Sequence, residues 1–407
     1  MKSKKYLAWI FSAPSLIDLF SNNFFIIGKL CENFEKLYFI NVHALRFFSN
    51  HITQKQEFSN ELNQKFKVPS NIEFFNAKTT KDFKDFMNGK ELIAINGFGR
   101  RFHDIKIHFL LAKYQIRQVL ISNSGGVQQY LKPSHNSFWK NLIYKLNKSY
   151  SHKLIVLLSN LGLVPKIEIR FMTNSQTIKN INKSVIKKIL YNLKLFYAKE
   201  LVLVNSRSFD IFEKTKIEVT EDQIVLLDIC LDDPQLIALS GKLDRKNIEK
   251  HYYYINKIIN NFSNMYNKKV VVCIHPKDNL KLKKKYFPNI NVVQYETREN
   301  IYKAFLVLYF DTSAIVDAIL LKKRILTLFS NFSGKIPYYI GQNYVNKVGL
   351  LYMNIEEEIK IDQDKFLSKL DEAKENYPNY IKSYIAPDGD SIGYEKIIKT
   401  LKERFFN

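Results

Sequence analysis

Apolar residues fall along this chain in two rhythms. Short unbroken runs at 6–11, 36–40, 72–75, 92–95, 118–122, 167–171 and 201–204 read as strands buried on both faces. Stretches with helical spacing lie between most of them, at 16–33, 81–87, 103–114 and 184–198. A second series begins near 220, with strands at 224–229, 270–274, 290–293, 304–308 and 325–328. Its helices fall at 244–266, 281–286, 299–302, 313–321 and 364–376. The last helix, 391–405, carries Ile392, Ile397, Ile398 and Leu401 on one face. Such alternation predicts an α/β chain of two doubly wound lobes, divided around 213–222. The expected domains are 1–219, 220–390 and a terminal helix, 391–407, that packs back on the first lobe.

Composition narrows the class. The 407 residues exceed one ordinary core, and 46% hydrophobic content excludes a disordered chain. Cys31, Cys230 and Cys273 lie far apart with no metal-ligand spacing, so neither a disulfide scaffold nor a zinc site is expected. No secretory signal is expected, because Pro14 and Asp18 interrupt the apolar run after the basic start. The apolar run at 154–164 is too short to span a bilayer. The formal charge is +23, and residues 132–200 hold thirteen Lys/Arg against Glu168 and Glu200 alone. That excess favours an anionic partner. With Phe138 and Trp139 close by, it predicts peripheral attachment to an anionic membrane surface, on the inner face of the cytoplasmic membrane.

Ligands of open parallel sheets bind outside the carboxyl ends of strands. In the second series the strand 270–274 runs into His275-Pro276-Lys277-Asp278. The strand at 304–310 runs into Asp311-Thr312-Ser313-Ala314, which opens a helix. Hydroxyls at a helix start and a histidine at a strand end suit a phosphate. Each feature alone is an ordinary turn or cap; the two together, 37 residues apart, point to a site. Asp228 ends the first strand of this lobe and is a further donor-side candidate. Asp232-Asp233, before Pro234, reads as a solvated turn, and Lys281, Lys283, Lys284 and Lys285 as a solvated face. His251 and Tyr252 read as half-buried packing on a long helix.

In the first lobe the strand 91–95 ends in Asn96-Gly97-Phe98-Gly99-Arg100-Arg101-Phe102-His103-Asp104. Arg100 and Arg101 suit a carboxylate or phosphate. Asp104 and His103 are candidates for base or nucleophile. The strand 118–122 ends in Asn123-Ser124-Gly125-Gly126, whose backbone amides suit an anion or a sugar hydroxyl. His43, and the loop Ser12-Ala13-Pro14-Ser15 after the first strand, are weaker candidates. The stretch 129–147 reads as an irregular basic insertion.

His275-Pro276 with the Asp311-Thr312-Ser313-Ala314 turn resembles the HP and S/T motifs of bacterial GT-B transferases. These include sialyltransferases, Kdo transferases and CDP-glycerol-type polyol-phosphate transferases. The resemblance covers mainly 220–330. It implies a GT-B-like fold of two Rossmann-like lobes with an interlobe cleft and a C-terminal crossover helix. It implies a metal-independent glycosyltransferase without cofactor, its donor phosphate contacted by His275, Thr312 and Ser313, with Pro276, Lys277 and Asp228 as further donor- or nucleotide-binding positions. The implied donor is a nucleotide-activated sugar, with CMP-linked Kdo or a nonulosonate favoured. The implied acceptor is lipid-linked or a surface polysaccharide. A CDP-polyol phosphotransferase is the alternative. A basic membrane- or nucleic-acid-binding scaffold is a third reading, although no nucleic-acid motif is present and no nucleic-acid partner is expected.

Overall fold

The buried apolar runs become the central strands of two parallel sheets. The structure, a computed structural model, describes residues 5–12, 16–45, 68–98, 104–122, 151–192, 198–215, 218–231, 243–276, 278–357 and 362–406. Among these, one compact unit comprises residues before 123, 151–207 and 388–406; the other comprises 208–387.

The first unit has seven strands: β1 (Lys5–Phe11), β2 (Leu37–Asn41), β3 (Ile72–Asn76), β4 (Glu91–Gly97), β5 (Arg117–Ser122), β6 (Ile167–Met172) and β7 (Ala198–Leu203). Their order is β3-β2-β1-β4-β5-β6-β7, all parallel. The second unit has β8 (Gln223–Leu227), β9 (Lys269–Ile274), β10 (Asn291–Gln294), β11 (Ala304–Tyr309), β12 (Arg324–Phe329) and β13 (Leu351–Asn354). Their order is β10-β9-β8-β11-β12-β13, again all parallel. This is the two-lobe α/β architecture expected of a GT-B-like chain. Helices cover both faces of each sheet, which is why the strands are apolar without alternation: Ile224, Val225, Leu226 and Leu227 are all fully buried. In each sheet the strand order reverses beside the first strand, between β1 and β4 and between β8 and β11. Those carboxyl ends are the expected ligand positions.

Some elements depart from the sequence pattern. The helix expected over 184–198 is Val185–Asn192, preceded by a separate helix, Ser175–Lys183. The helix Lys335–Val348 was obscured by Pro337 and Gly341. Pro337 sits in the first turn, where its missing N–H leaves no helical bond unmade. Gly341 lets the helix lie close on β12, since a Cβ there would stand 2.7 Å from the Phe329 ring. The four-residue strand β13 is too short for its pattern to register. The insertion read at 129–147 lies outside the described residues.

The C-terminal segment belongs to the first unit. The helix Gly393–Leu401 buries Tyr394, Ile397, Ile398 and Leu401 among Ile26, Ile27 and Leu30 of the helix Leu16–Asn33. Asn205 fixes its approach: the side-chain amide donates to the carbonyls of Gly389 and Ser391, each at 2.6 Å, and its oxygen accepts the Asp388 N–H. Gly393 lies against the same residue, and a Cβ there would stand 2.3 Å from the Asn205 carbonyl oxygen. Backbone cannot yield as a side-chain tip can. Gly393→Ala should therefore cost about 1–3 kcal/mol in urea unfolding. Gly28→Ala, in the helix Leu16–Asn33 with nothing within 4 Å, should instead gain about 0.5–1 kcal/mol. Equal effects from the two changes would refute this packing.

Candidate functional site

In the second unit, Cys273 of β9 pairs with Leu227 of β8, and Leu227 with Tyr309 of β11. Counting outward from that row, His275, Asp228 and Asp311-Thr312-Ser313 all fall just past the carboxyl ends of three adjacent strands. β9 and β11 are two strand spacings apart, so the outer groups begin about 10 Å from each other along the sheet edge.

The turn after β9 is held from several directions. The Asp278 N–H donates to the His275 carbonyl at 2.9 Å, and the His275 N–H donates to Asp278 Oδ2 at 3.1 Å. The Gln294 side-chain amide reaches the carbonyls of His275, Pro276 and Asp278 at 3.1–3.2 Å. Asn279 caps the following helix, Leu280–Tyr286, by accepting the Leu282 N–H. His275 is partly exposed and Pro276 exposed; Lys277 lies outside the described residues.

Beneath this turn sits a group that the sequence reading misplaced. Lys283 is not on a solvated face: it is 4% exposed. Its ammonium donates to Asp228 Oδ2 at 2.5 Å, to the Ile229 carbonyl at 2.7 Å and to the Tyr252 hydroxyl at 2.5 Å, and lies 3.5 Å from Asp278 Oδ1. One lysine thus ties the ends of β8 and β9 to the helix Arg245–Tyr266. The clue was present, because 280, 283 and 287 share one helical face and Leu280 and Phe287 pack into the core there. Burial alone would lower the lysine's pKa; the carboxylate of Asp228, with Tyr252 and Asp278, overrides it and holds the group above the ordinary lysine value. His251 is fully buried rather than half-buried, against the rings of Tyr252 and Phe310. Burial, with the nearby Lys283 charge, pushes it down to about 3, so it is neutral.

Two carboxylates face this one lysine. Burial first, and the charge of Asp228 second, push Asp278 up to about 6 against the pull of Lys283. The folded protein therefore holds that proton more tightly than the unfolded chain. The resulting stability is full below the unfolded value near 4 and is lost as pH rises through about 6. Asp278→Asn should remove this dependence. Urea unfolding from pH 4 to 8 should show wild type losing ground to the variant as pH rises; parallel curves would contradict it.

At the end of β11, Thr312 is partly exposed and Ser313 exposed. The expected helix cap is different in detail. The helix is Ile315–Leu320, its N-cap position is Ala314, and the Thr312 hydroxyl accepts the Ala314 N–H at 3.3 Å. A helix this short adds little dipole, so the polar character of the turn rests on its hydroxyls and local amides. Asp317 anchors it through Arg298, with bonds of 3.1–3.3 Å.

In the first unit, Asn96 is buried and donates to Gln118 Oε1 at 2.7 Å, a packing role. Asp104 is completely buried at the N-cap position of the helix Ile105–Lys113, without making a capping bond. Arg100, Arg101, His103, Asn123, Ser124, Gly125, Gly126 and the Asp232-Asp233 pair lie outside the described residues. One pairing was invisible in sequence: Ser12 Oγ and His43 Nδ1 lie 3.4 Å apart at the ends of β1 and β2, with the His43 N–H on Asn41 Oδ1. Among the described residues no cluster of three or more metal-ligating side chains occurs.

No protein-family model matches the sequence, and no curated protein matches it significantly. Solved structures do. The calicheamicin glycosyltransferase CalG4 aligns over all of both chains with a TM-score of 0.51 and 8% identity. The wall teichoic acid polymerase TagF, in a crystal soaked with CDPG, aligns over 98% of this chain and 88% of its own, with a TM-score of 0.52 and 9% identity. A Listeria monocytogenes protein described as a UDP-N-acetylglucosamine 2-epimerase aligns over 100% and 97%, with a TM-score of 0.50 and 12% identity. At these identities the likeness is one of fold alone: two α/β units, each built on a parallel sheet.

Proposed function

We propose that the chain is a glycosyltransferase that takes a sugar from a nucleotide-activated donor, with a CMP-linked acidic sugar such as Kdo or a nonulosonate favoured, and passes it to a surface-polysaccharide or lipopolysaccharide acceptor. The observation that carries this reading is the placement of His275 and Thr312-Ser313 at one sheet edge, on either side of the point where the strand order reverses. Asp228 between them is buried and paired with Lys283, so it is not a donor contact as the sequence suggested. The donor phosphate would lie against His275 and the two hydroxyls, which stabilise the negative charge that grows on it as the bond to the anomeric carbon breaks. The buried Lys283–Asp228–Asp278 cluster would hold the His275 turn rigid without touching the donor. Acceptor chemistry is assigned to the first unit. Complete burial suits Asp104 to an orienting role rather than to meeting an acceptor hydroxyl itself. Partly exposed His43 beside Ser12 is an additional proton-accepting candidate.

The fold likeness to the teichoic acid polymerase favours a second reading, transfer of a polyol phosphate from a CDP-polyol. That reaction would use the same phosphate contacts but form its new bond at phosphorus. Incubation with CMP-Kdo, CMP-sialic acid, UDP-sugars and CDP-glycerol separates the two. CMP release with an acidic-sugar product supports the first, and CMP release with a glycerol-phosphate product the second. Release of nucleotide from none of the donors would reject both.

A further inference from the structure

Two helices of the first unit turn apolar side chains outward. On Ser151–Asn160 and the turn after it, Leu157, Leu161 and Leu163 are 54%, 63% and 52% exposed. On Val185–Asn192, Val185, Ile186 and Ile189 are 74%, 72% and 51% exposed. The inward side of the first helix is already satisfied, since Ile155 packs on Ile105 and Val164. The two helices belong to the successive crossovers β5 to β6 and β6 to β7. Right-handed crossovers stepping the same way place both on one face of the sheet.

Charge identifies the occupant. Residues 151–192 hold seven Lys/Arg and a single acid, Glu168, which is already paired with Lys199 at 2.7 Å. Lys187 and Lys188 stand exposed between Ile186 and Ile189. A second copy of a chain with a formal charge of +23 would bring like charges together around these leucines and isoleucines. Nucleic acid offers phosphate but no apolar phase. An anionic bilayer offers both, with headgroups for the lysines and acyl chains for the aliphatic tips.

We propose that these two helices form a docking face for an anionic lipid bilayer. The proposal deepens the membrane partner expected above and rests on the glycosyl-transfer reading only for the reason the protein visits a membrane. The helices lie on the bilayer without spanning it; among the described residues no helix is long and apolar enough to cross one. Residues at half to three-quarters exposure are free to change without loss of fold.

The test is flotation of the full chain with phosphatidylcholine vesicles, with and without phosphatidylglycerol. Wild type should float with the anionic vesicles only. The triple change Val185→Ser, Ile186→Ser and Ile189→Ser should lower the partition coefficient by about 10–100-fold. Lys187→Glu with Lys188→Glu should abolish the preference for anionic lipid. Equal flotation of wild type and the triple variant overturns the proposal, as does equal binding to both vesicle types. Failure to float, coupled with dimerisation that the triple variant abolishes, assigns the face to self-association and also overturns it. Nucleotide release with a water-soluble acceptor should be unchanged in the triple variant. Should no donor release nucleotide while wild type still floats, the transfer reading fails and the docking face stands.

Discussion

Lys283→Met should destabilise the protein by about 3–5 kcal/mol at pH 8. Methionine matches the length of the stem, so the loss is one of charge rather than volume. Asp228 and Asp278 would remain buried with no cation between them, and the Ile229 carbonyl and Tyr252 hydroxyl would lose their donor. Breaking a buried pair by removing one partner costs far more than its Coulomb energy in water, because the remaining charge stays desolvated. Without the Lys283 charge Asp278 is pushed up further than in the wild type, so the variant takes up a proton there at higher pH and the penalty shrinks as pH falls from 8 towards 6. Asp228→Asn on top of Lys283→Met should restore part of the loss at every pH. Lys284→Met, one residue on and exposed, should change stability by less than about 0.5 kcal/mol. Urea unfolding of the four proteins checks the set. An equal effect at 283 and 284 would return Lys283 to the solvated face that the sequence suggested.

His275→Ala should lower turnover on the productive donor by about 10²–10³, the range for removing one donor that faces developing oxyanion charge. Its fold should survive, because the turn is held by backbone bonds and by the side chains of Gln294 and Asp278. Ser313→Ala should cost less, since Thr312 and the local amides remain beside the same anion. The expected signature is a fall in kcat with a smaller change in KM, because the histidine is assigned to charge that grows in the transition state. An alanine variant with wild-type turnover and wild-type nucleotide affinity would make His275 a turn residue only.

The two-lobe fold was legible because parallel strands buried on both faces leave unbroken apolar runs, and 270–274 or 304–308 can hardly be anything else. The position of the turns after β9 and β11 was legible because they sit at the ends of such runs. What escaped was side-chain direction. Lys283 has the composition of a surface residue and the helical phase of a core one, and only the phase was right. Along 154–161 apolar residues occupy both helical faces, so periodicity could not tell Ile155, which is buried, from Leu157 and Leu161, which are not. The Ser12–His43 pair and the Asn205 clamp join residues 31 and 183–186 apart. Only the order of strands brings them together, and no local pattern encodes it.

The central claim is that the carboxyl ends of β8, β9 and β11 hold a nucleotide phosphate, and a crystal soaked with CMP tests it most directly. The account predicts phosphate density between the His275 imidazole and the hydroxyls of Thr312 and Ser313, within hydrogen-bond distance of the imidazole and of at least one hydroxyl. It further predicts that the same soak of His275→Ala crystals loses that density while leaving the Lys283 cluster unmoved. CMP bound elsewhere on the chain, or bound identically in the variant, would contradict it.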